Sequence, residues 1–282
     1  MTVRFDAPDP DAVPVLDAAT VMLVRDGADG LEVFMLRRNL ESDFVGGAYV
    51  FPGGAVDPHD GGPDVEGVVR GRTDRAASQL LGLPAGGLAF WVAAIRECFE
   101  EAGLLLAAGR DGKLVDLDDP LANERFVPLR RAVDSGALRL VELCAMESLE
   151  LAADSMHYFS RWITPLGAPR RYDTRFFVAH APELQTPLHD DREVIANLWI
   201  RPGDALALHD AGEFELIFPT VRSLEALDRF DTAEAVVSHA ASLDRVDAVL
   251  PTVVEDGHGL RIVLPGDEVY DAETSRRVNG AG

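Results

Sequence analysis

Residues 96–104, Arg96-Glu97-Cys98-Phe99-Glu100-Glu101-Ala102-Gly103-Leu104, put one arginine and three glutamates on two turns of a helix and follow them with a glycine. At about 100° per residue, Glu97 and Glu101 stack at i and i+4 with Glu100 beside them, so the spacing predicts three carboxylates converging within reach of a divalent cation. Three like charges this close destabilise a bare helix and call for positive compensation. Carboxylate oxygens are hard donors, which suit Mg²⁺ or Mn²⁺ better than zinc. Arg96, on the flank of that face, can grip one carboxylate through a bidentate hydrogen bond and fix its rotamer. The same residues could also form a solvated helix face laced with ion pairs, as most Glu/Arg clusters do.

Upstream, residues 48–51 read as a strand that breaks at Pro52-Gly53-Gly54 and resumes at Ala55-Val56. Paired glycines let the backbone adopt positive φ and approach a ligand with no side chain in the way, and a carbonyl there could join a metal shell. With this bend ahead and the Arg-Glu-x-x-Glu-Glu-x-Gly run behind, the chain resembles the Nudix hydrolases. Their box runs Gly, five residues, Glu, seven residues, then Arg-Glu-hydrophobic-x-Glu-Glu-x-Gly-hydrophobic. Gly54 opens it, Asp60 stands where the first Glu belongs, and residues 96–104 match the second half. Between them lies an insertion, residues 61–88, with Gly61-Gly62-Pro63 at one end and Leu83-Pro84-Ala85-Gly86-Gly87 at the other. Those breakers suggest a surface excursion whose hinges would permit a lid, and one long enough to carry Asp60 away from the metals.

A box split in this way is similar to that of one branch, the enzymes like the peroxisomal coenzyme A diphosphatases of animals. The likeness continues through Val33-Phe34-Met35-Leu36-Arg37-Arg38, Ser160-Arg161-Trp162-Ile163-Thr164-Pro165, Arg170-Arg171-Tyr172-Asp173-Thr174-Arg175-Phe176-Phe177 and Leu264-Pro265-Gly266-Asp267, and spans roughly residues 18–270. The resemblance implies an α/β (α+β) fold, a mixed sheet sandwiched between helices with extra helical insertions. It also implies Mg²⁺- or Mn²⁺-dependent hydrolysis of coenzyme A or acyl-coenzyme A to phosphopantetheine and adenosine 3′,5′-bisphosphate. Another nucleoside diphosphate derivative, such as ADP-ribose or a dinucleotide, or a ligand sensor without turnover, remains open. Glu97, Glu100 and Glu101 would hold the metal together with the carbonyl of Gly53. Catalysis would fall to Glu97, to Arg96 that steadies the carboxylates, and to a base, either a box glutamate or Glu193 of the loop His189-Asp190-Asp191-Arg192-Glu193. Glu193 is equally readable as one more exposed acid.

Substrate phosphate has two candidate grips. Arg37 and Arg38 end a strand, and strand alternation sends only one of them toward the site. Arg170 and Arg171, with Arg175, form a second cluster suited to a 3′-phosphate, unless they pair with Asp173 and its neighbours. Tyr172, Phe176 and Trp162 could stack an adenine or belong to the core.

The rest of the chain must position these groups. It has 282 residues, 47% hydrophobic, and a net charge of −22. That is enough apolar material for one large domain, expected over residues 15–270 between tails at 1–14 and 271–282. Nucleic acid is disfavoured as a partner because a polyanion would be repelled. With no long apolar run and no secretory signature, a membrane is not expected and a cytoplasmic enzyme is. Asn279-Gly280-Ala281-Gly282 is no peroxisomal address, a homodimer is left open, and the substrate should be a small nucleoside diphosphate compound. Cys98 and Cys144 read as reduced core residues. A hairpin should turn at residues 26–30, and the acidic helix should run over 88–102 with Gly103 as its stop. A helical elaboration occupies 105–160, with helices over 120–133 and 137–154. Strands follow at 160–164, 174–180 and 197–200, then helices over 219–230 and 232–243, and a final strand pair at 247–254 and 260–264.

Overall fold

The computed structural model describes residues 5, 9, 12–40, 46–188, 194–256, 259–267 and 270. Both expected tails fall largely outside that set, and Glu193 does so entirely. In chain order the elements are β1 (Val15–Gly27), β2 (Gly30–Arg38), β3 (Tyr49–Val50), β4 (Gly53–Ala55), α1 (Asp74–Leu81), α2 (Leu88–Ala102) and β5 (Ala107–Ala108). There follow α3 (Pro120–Asp134), α4 (Leu140–Glu147), β6 (Glu150–Leu151), β7 (His157–Ile163), β8 (Arg171–His180) and β9 (Val194–Ile200). The chain continues through α5 (Pro202–Asp210), α6 (Phe218–Leu227), α7 (Ala233–Ala241), β10 (Ala248–Val249), β11 (Thr252–Asp256) and β12 (Gly259–Val263).

The main sheet is mixed and runs β10-β7-β8-β1-β2-β3, with β4 also on β1 and β9 also on β2. Its centre is the parallel pair β1 and β8, in register from Val15↔Arg171 to Val24↔His180. The hairpin of β1 and β2 closes on Gly27↔Gly30, and Gly30 takes φ 118°, a conformation open to glycine. Strand alternation sends Ala19, Val21 and Leu23 against α2, where they meet Trp91, Ala94, Ile95 and Cys98. Met22 and Val24 point the other way, into a second core with Leu224, Leu227, Val236 and Ala240. Both faces of the sheet are thus covered by helices, the α/β sandwich that the family resemblance implies.

Helix α2 begins and ends where the apolar period and Gly103 place it. Gly103 is left-handed (φ 70°) and its N–H closes on the Phe99 carbonyl. A side chain there would press on Arg130 of α3, whose Nε and Nη2 donate to the Glu100 carbonyl at 3.1 and 2.8 Å. The second helix expected in the elaboration is shorter, because Ser148 turns left-handed (φ 56°) and releases the chain into β6. Helix α5 goes unread in the residue pattern, although Pro202 stands at its first turn, where proline is favoured. Cys98 and Cys144 are free and buried; burial pushes both thiols up, that of Cys144 to about 12. Among the described residues no helix is long and apolar enough to cross a membrane.

The insertion contains α1 and is tied down at both ends. Thr73 caps α1 through the Ala76 N–H, and Gly82 ends it in a left-handed conformation. Asp74 then reaches across to α2: its carboxylate accepts the N–H groups of Gly86 and Leu88, each at 3.0 Å. Ser78 takes the Gly87 N–H at 2.9 Å, and the two segments lie so close that any side chain at Gly87 would strike the α1 backbone. Asp74 therefore supplies the cap that Gly87 cannot, satisfying orphan donors at the start of the acidic helix. At the other end Arg139 donates to the His59 and Gly61 carbonyls and to Asp64. The excursion expected from its glycines and prolines is a clamp.

Asp74→Ala should lower the unfolding free energy by about 1–2 kcal/mol at neutral pH, the cost of a lost cap. Burial raises the Asp74 carboxyl, but the Leu88 and Gly86 N–H groups and the Ser78 hydroxyl outweigh it and hold it below its ordinary value. A depressed folded value means that this stabilisation is complete above the usual aspartate value near 3.8 and is lost as pH falls through the folded one. Urea denaturation of parent and variant should therefore show a gap that closes on acidification. A gap independent of pH would remove the carboxylate from the role.

Candidate active site

Arg96 organises the acidic helix. Its Nε and Nη2 hold Asp60 at 2.7 and 3.0 Å, its Nη1 holds Glu97 and Glu100 at 2.8 Å each, and Nη2 also reaches the Ala55 carbonyl at 3.0 Å. Burial works against the charge of this guanidinium, but the Asp60 hydrogen bonds and the fields of Glu97, Asp60 and Glu100 prevail and hold it protonated beyond its ordinary range. Asp60 is only 1% exposed and also accepts the Asp57 N–H at 2.8 Å, closing a short capping box over residues 57–60. The insertion thus does not carry Asp60 off. The 3-10 turn at 58–60 ends before the insertion begins, and Arg96 pins it to α2.

The three glutamates do not converge on one point. Among the described residues, no three His, Cys, Asp or Glu side chains are gathered as a ready metal cage. Arg96 Nη1 holds Glu97 and Glu100 together, and of these two only Glu97 shares the cavity wall with Glu101. Glu101, 8% exposed, instead accepts the Gly53 N–H at 3.1 Å. The Glu97 carboxylate lies against Gly54 so closely that a side chain there would collide with it. For Glu100, burial raises the carboxyl, Arg96 lowers it and Glu97 raises it again, leaving it at about 7.

Glu97 and Glu101, with Gly53 and Gly54, form one part of the wall of a cavity of about 320 Å³. Arg38 and Arg170 line the same cavity, as do Trp162, Tyr172 and Phe176, with Thr20, Ile217 and Phe218 among residues that no motif marks. Arg37 turns away: its Nε donates to the Gly47 carbonyl and it lies over the Tyr49 ring. Arg171 is buried and donates to the Thr164 carbonyl: alternation along β8 sends Tyr172 toward the cavity and Arg171 away from it, while Arg170, just before the strand, lines the cavity. Arg175, 1% exposed, is bonded to Asp17 and stacked over Phe90. The supporting residues Arg130, Arg139, Asp74 and Ser78 escape a motif search because they act through backbone groups. The one local signal among them is the Asp57-x-x-Asp60 capping pattern.

A model of the NUDT19 Nudix domain matches residues 63–227. The chain belongs to the NUDT19 branch of the Nudix hydrolases. Acyl-coenzyme A diphosphatase NUDT19 of Gallus gallus is 30% identical over 277 residues, 85% of this chain and 72% of that protein. Its counterpart in Homo sapiens is 28% identical over 276 residues, 86% of this chain and 73% of that protein. The crystal structure of a Nudix hydrolase from Alicyclobacillus acidocaldarius, 29% identical, superposes with a TM-score of 0.67 over 80% of this chain and 97% of its own. Membership of the family makes the chain a hydrolase of diphosphate bonds and brings a divalent metal as the general cofactor. The residues fit such an ion: two hard carboxylates stand in one cavity wall, and the glycine against Glu97 keeps the approach open.

Arg96→Ala leaves Asp60 buried without its partner and should cost about 3–5 kcal/mol of stability. Arg96→Lys keeps the charge but loses the fork that reaches both Asp60 and the glutamates. It should remain folded while diphosphate hydrolysis falls by roughly tenfold or more, since a carboxylate misplaced by an ångström loses its alignment. Thermal unfolding beside a hydrolysis assay separates the two effects, and a fully active Arg96→Lys would show that the fork is dispensable.

Proposed function

We propose that the chain is a Mg²⁺- or Mn²⁺-dependent diphosphatase of coenzyme A and acyl-coenzyme A, releasing the phosphopantetheine half and adenosine 3′,5′-bisphosphate. The observation that carries the reading is the shared cavity. Carboxylates and glycines stand in one part of its wall, and two arginines with aromatic rings in the remainder. A nucleotide diphosphate needs both, a neutralised phosphate end and a flat, apolar partner for its base. The relatives' name, acyl-coenzyme A diphosphatase, supports the substrate class.

In this mechanism Glu97, Glu101 and the Gly53 carbonyl would hold the cation, with Glu100, bonded to Arg96, as the third carboxylate of the set. A bound divalent cation would neutralise the diphosphate and make a coordinated water more acidic. Arg96 fixes the carboxylates, and Gly53 and Gly54 let the diphosphate come close to the backbone. Arg38 balances charge on the phosphate oxygens as the bridging bond opens. Glu97 or Glu193 takes the proton of the attacking water. Trp162, Tyr172 and Phe176 receive the base, while Arg170 meets the 3′-phosphate.

Purified protein should cleave coenzyme A with Mg²⁺ or Mn²⁺ and stop when the metal is chelated. Glu97→Gln and Glu101→Gln should each lower kcat by roughly 10²–10³-fold, the scale of a lost charge partner of the transition state. Cleavage of ADP-ribose or a dinucleotide in place of coenzyme A would retain the enzyme and discard this substrate. Arg170→Gln should raise KM for coenzyme A by about tenfold while leaving KM for 3′-dephospho-coenzyme A nearly unaltered, as loss of one guanidinium–phosphate contact predicts. Equal effects on both substrates would place the 3′-phosphate elsewhere.

A further inference from the structure

The cavity has a wall that the family match does not reach. Pro251 and Ile262 line it together with Trp162 and Phe218, yet both lie beyond residue 227, where the match ends. They belong to the β11–β12 hairpin and its approach, a two-stranded sheet that pairs only with itself among the described residues. The hairpin is rooted beside the cavity because β10 joins the sheet edge with Val249 opposite Trp162. Leu250 and Val263 are buried and anchor it, and the Tyr270 hydroxyl donates to the Leu250 carbonyl. Ile262 is different: it is only half-buried and lines the cavity. A half-buried isoleucine facing a cavity contributes little to folding and leaves apolar surface for a ligand to cover.

We infer that Ile262 and Pro251 are specificity-determining residues, and that the hairpin they stand on reads the nucleoside half of the substrate rather than its acyl end. The geometry excludes the acyl end, and the flat rings in the wall favour the nucleoside over the pantoyl group. This wall and the Gly53-Gly54 bend bound one cavity of about 320 Å³, so whatever the hairpin touches must be bonded close to the diphosphate. In acyl-coenzyme A the acyl group is separated from the diphosphate by the whole pantetheine arm, whereas the ribose on one side and the branched pantoyl group on the other follow it directly. Flat rings match the face of a heteroaromatic base, and an aliphatic residue opposite them completes a slot. Discrimination at this wall is therefore indifferent to acyl length.

The inference rests on the diphosphatase reading for its turnover measurement, and nucleotide binding tests it without turnover. Ile262→Asp sets a carboxylate in the slot, and the smaller change Ile262→Thr preserves the strand. Calorimetric titration with adenosine 3′,5′-bisphosphate should show Kd roughly tenfold higher in Ile262→Asp, and about threefold higher in Ile262→Thr, the range expected for one lost apolar contact. KM for coenzyme A, acetyl-coenzyme A and a long-chain acyl-coenzyme A should rise by that same factor, with kcat moving much less. A factor that grows with acyl length would assign the wall to the acyl arm and overturn the inference, as would unaltered binding in both variants or a parent protein that does not bind the bisphosphate. Weakened bisphosphate binding in a protein that never cleaves coenzyme A would uphold the wall and refute the diphosphatase reading.

Discussion

One guanidinium carries the constraint on which the site depends. Arg96 binds acceptors from three places in the sequence: Asp60 after the glycine bend, the Ala55 carbonyl at the end of β4, and Glu97 and Glu100 on its own helix. Lysine could supply the charge but not the directions, since its ammonium cannot spread a planar fork. Removing the arginine would leave Asp60 charged, buried and unpaired, the costliest arrangement open to a carboxylate. The grip also orients what it does not hold. With Glu97 and Glu100 drawn to one side, Glu101 is left to the Gly53 N–H, and the bend and the helix become one unit.

That unit explains why the box tolerates being split. Lengthening a loop costs entropy only logarithmically, so an insertion is affordable wherever its ends are held. Here they are held twice. Arg96 and the capping box fix the chain at Asp60, while Asp74 and Ser78 deliver it to the start of α2. Arg139, just before α4, ties the entrance of the insertion to the helical elaboration, so two additions to the fold support each other. The 28 residues of 61–88 replace a short connection by a brace.

What the residues disclosed in advance follows from which forces are local. Helix α2, its glycine stop, the broken strand at the bend and the β1–β2 hairpin rest on period, turn chemistry and capping, all contained within a few residues. Helix α1 was hidden because Gly61-Gly62-Pro63 and Pro84-Ala85-Gly86-Gly87 look like loop on both sides, and its reason to exist is a partner, Gly87 and Leu88, that local spacing cannot show. The expected meeting of three carboxylates failed for a similar reason. Helical spacing brings Glu97, Glu100 and Glu101 to one face, and Glu97 and Glu101 do share the cavity wall, but Glu100 stays with Arg96 outside it, since rotamers are set by partners. Strand alternation limited Arg37 and Arg38 to one in the cavity, and Arg38 lines it; Arg170 and Arg171 were expected there together, and only Arg170 lines it. Which one of each pair depends on the bulge between Arg37 and Arg38 and on the β1–β8 register, both tertiary facts.

The charge balance of the cavity then bears on the cofactor independently of family membership. The chain carries −22 overall, and the cavity wall adds Glu97 and Glu101, so a diphosphate approaching it meets repulsion at long and short range. Two like charges about 4 Å apart repel by on the order of 4 kcal/mol per pair near a protein surface, so each wall carboxylate opposes a nearby phosphate on that scale, and Arg38 and Arg170 work against it. Cationic charge set between such an anion and the glutamates would turn that repulsion into attraction on both sides. Glycine at 53 and 54 is what leaves the room, since a side chain at Gly54 would already be in collision with Glu97. The acidic wall, the missing side chains and the arginines beyond them are thus one requirement met in three ways: a place where two negative partners can be held apart by a positive one.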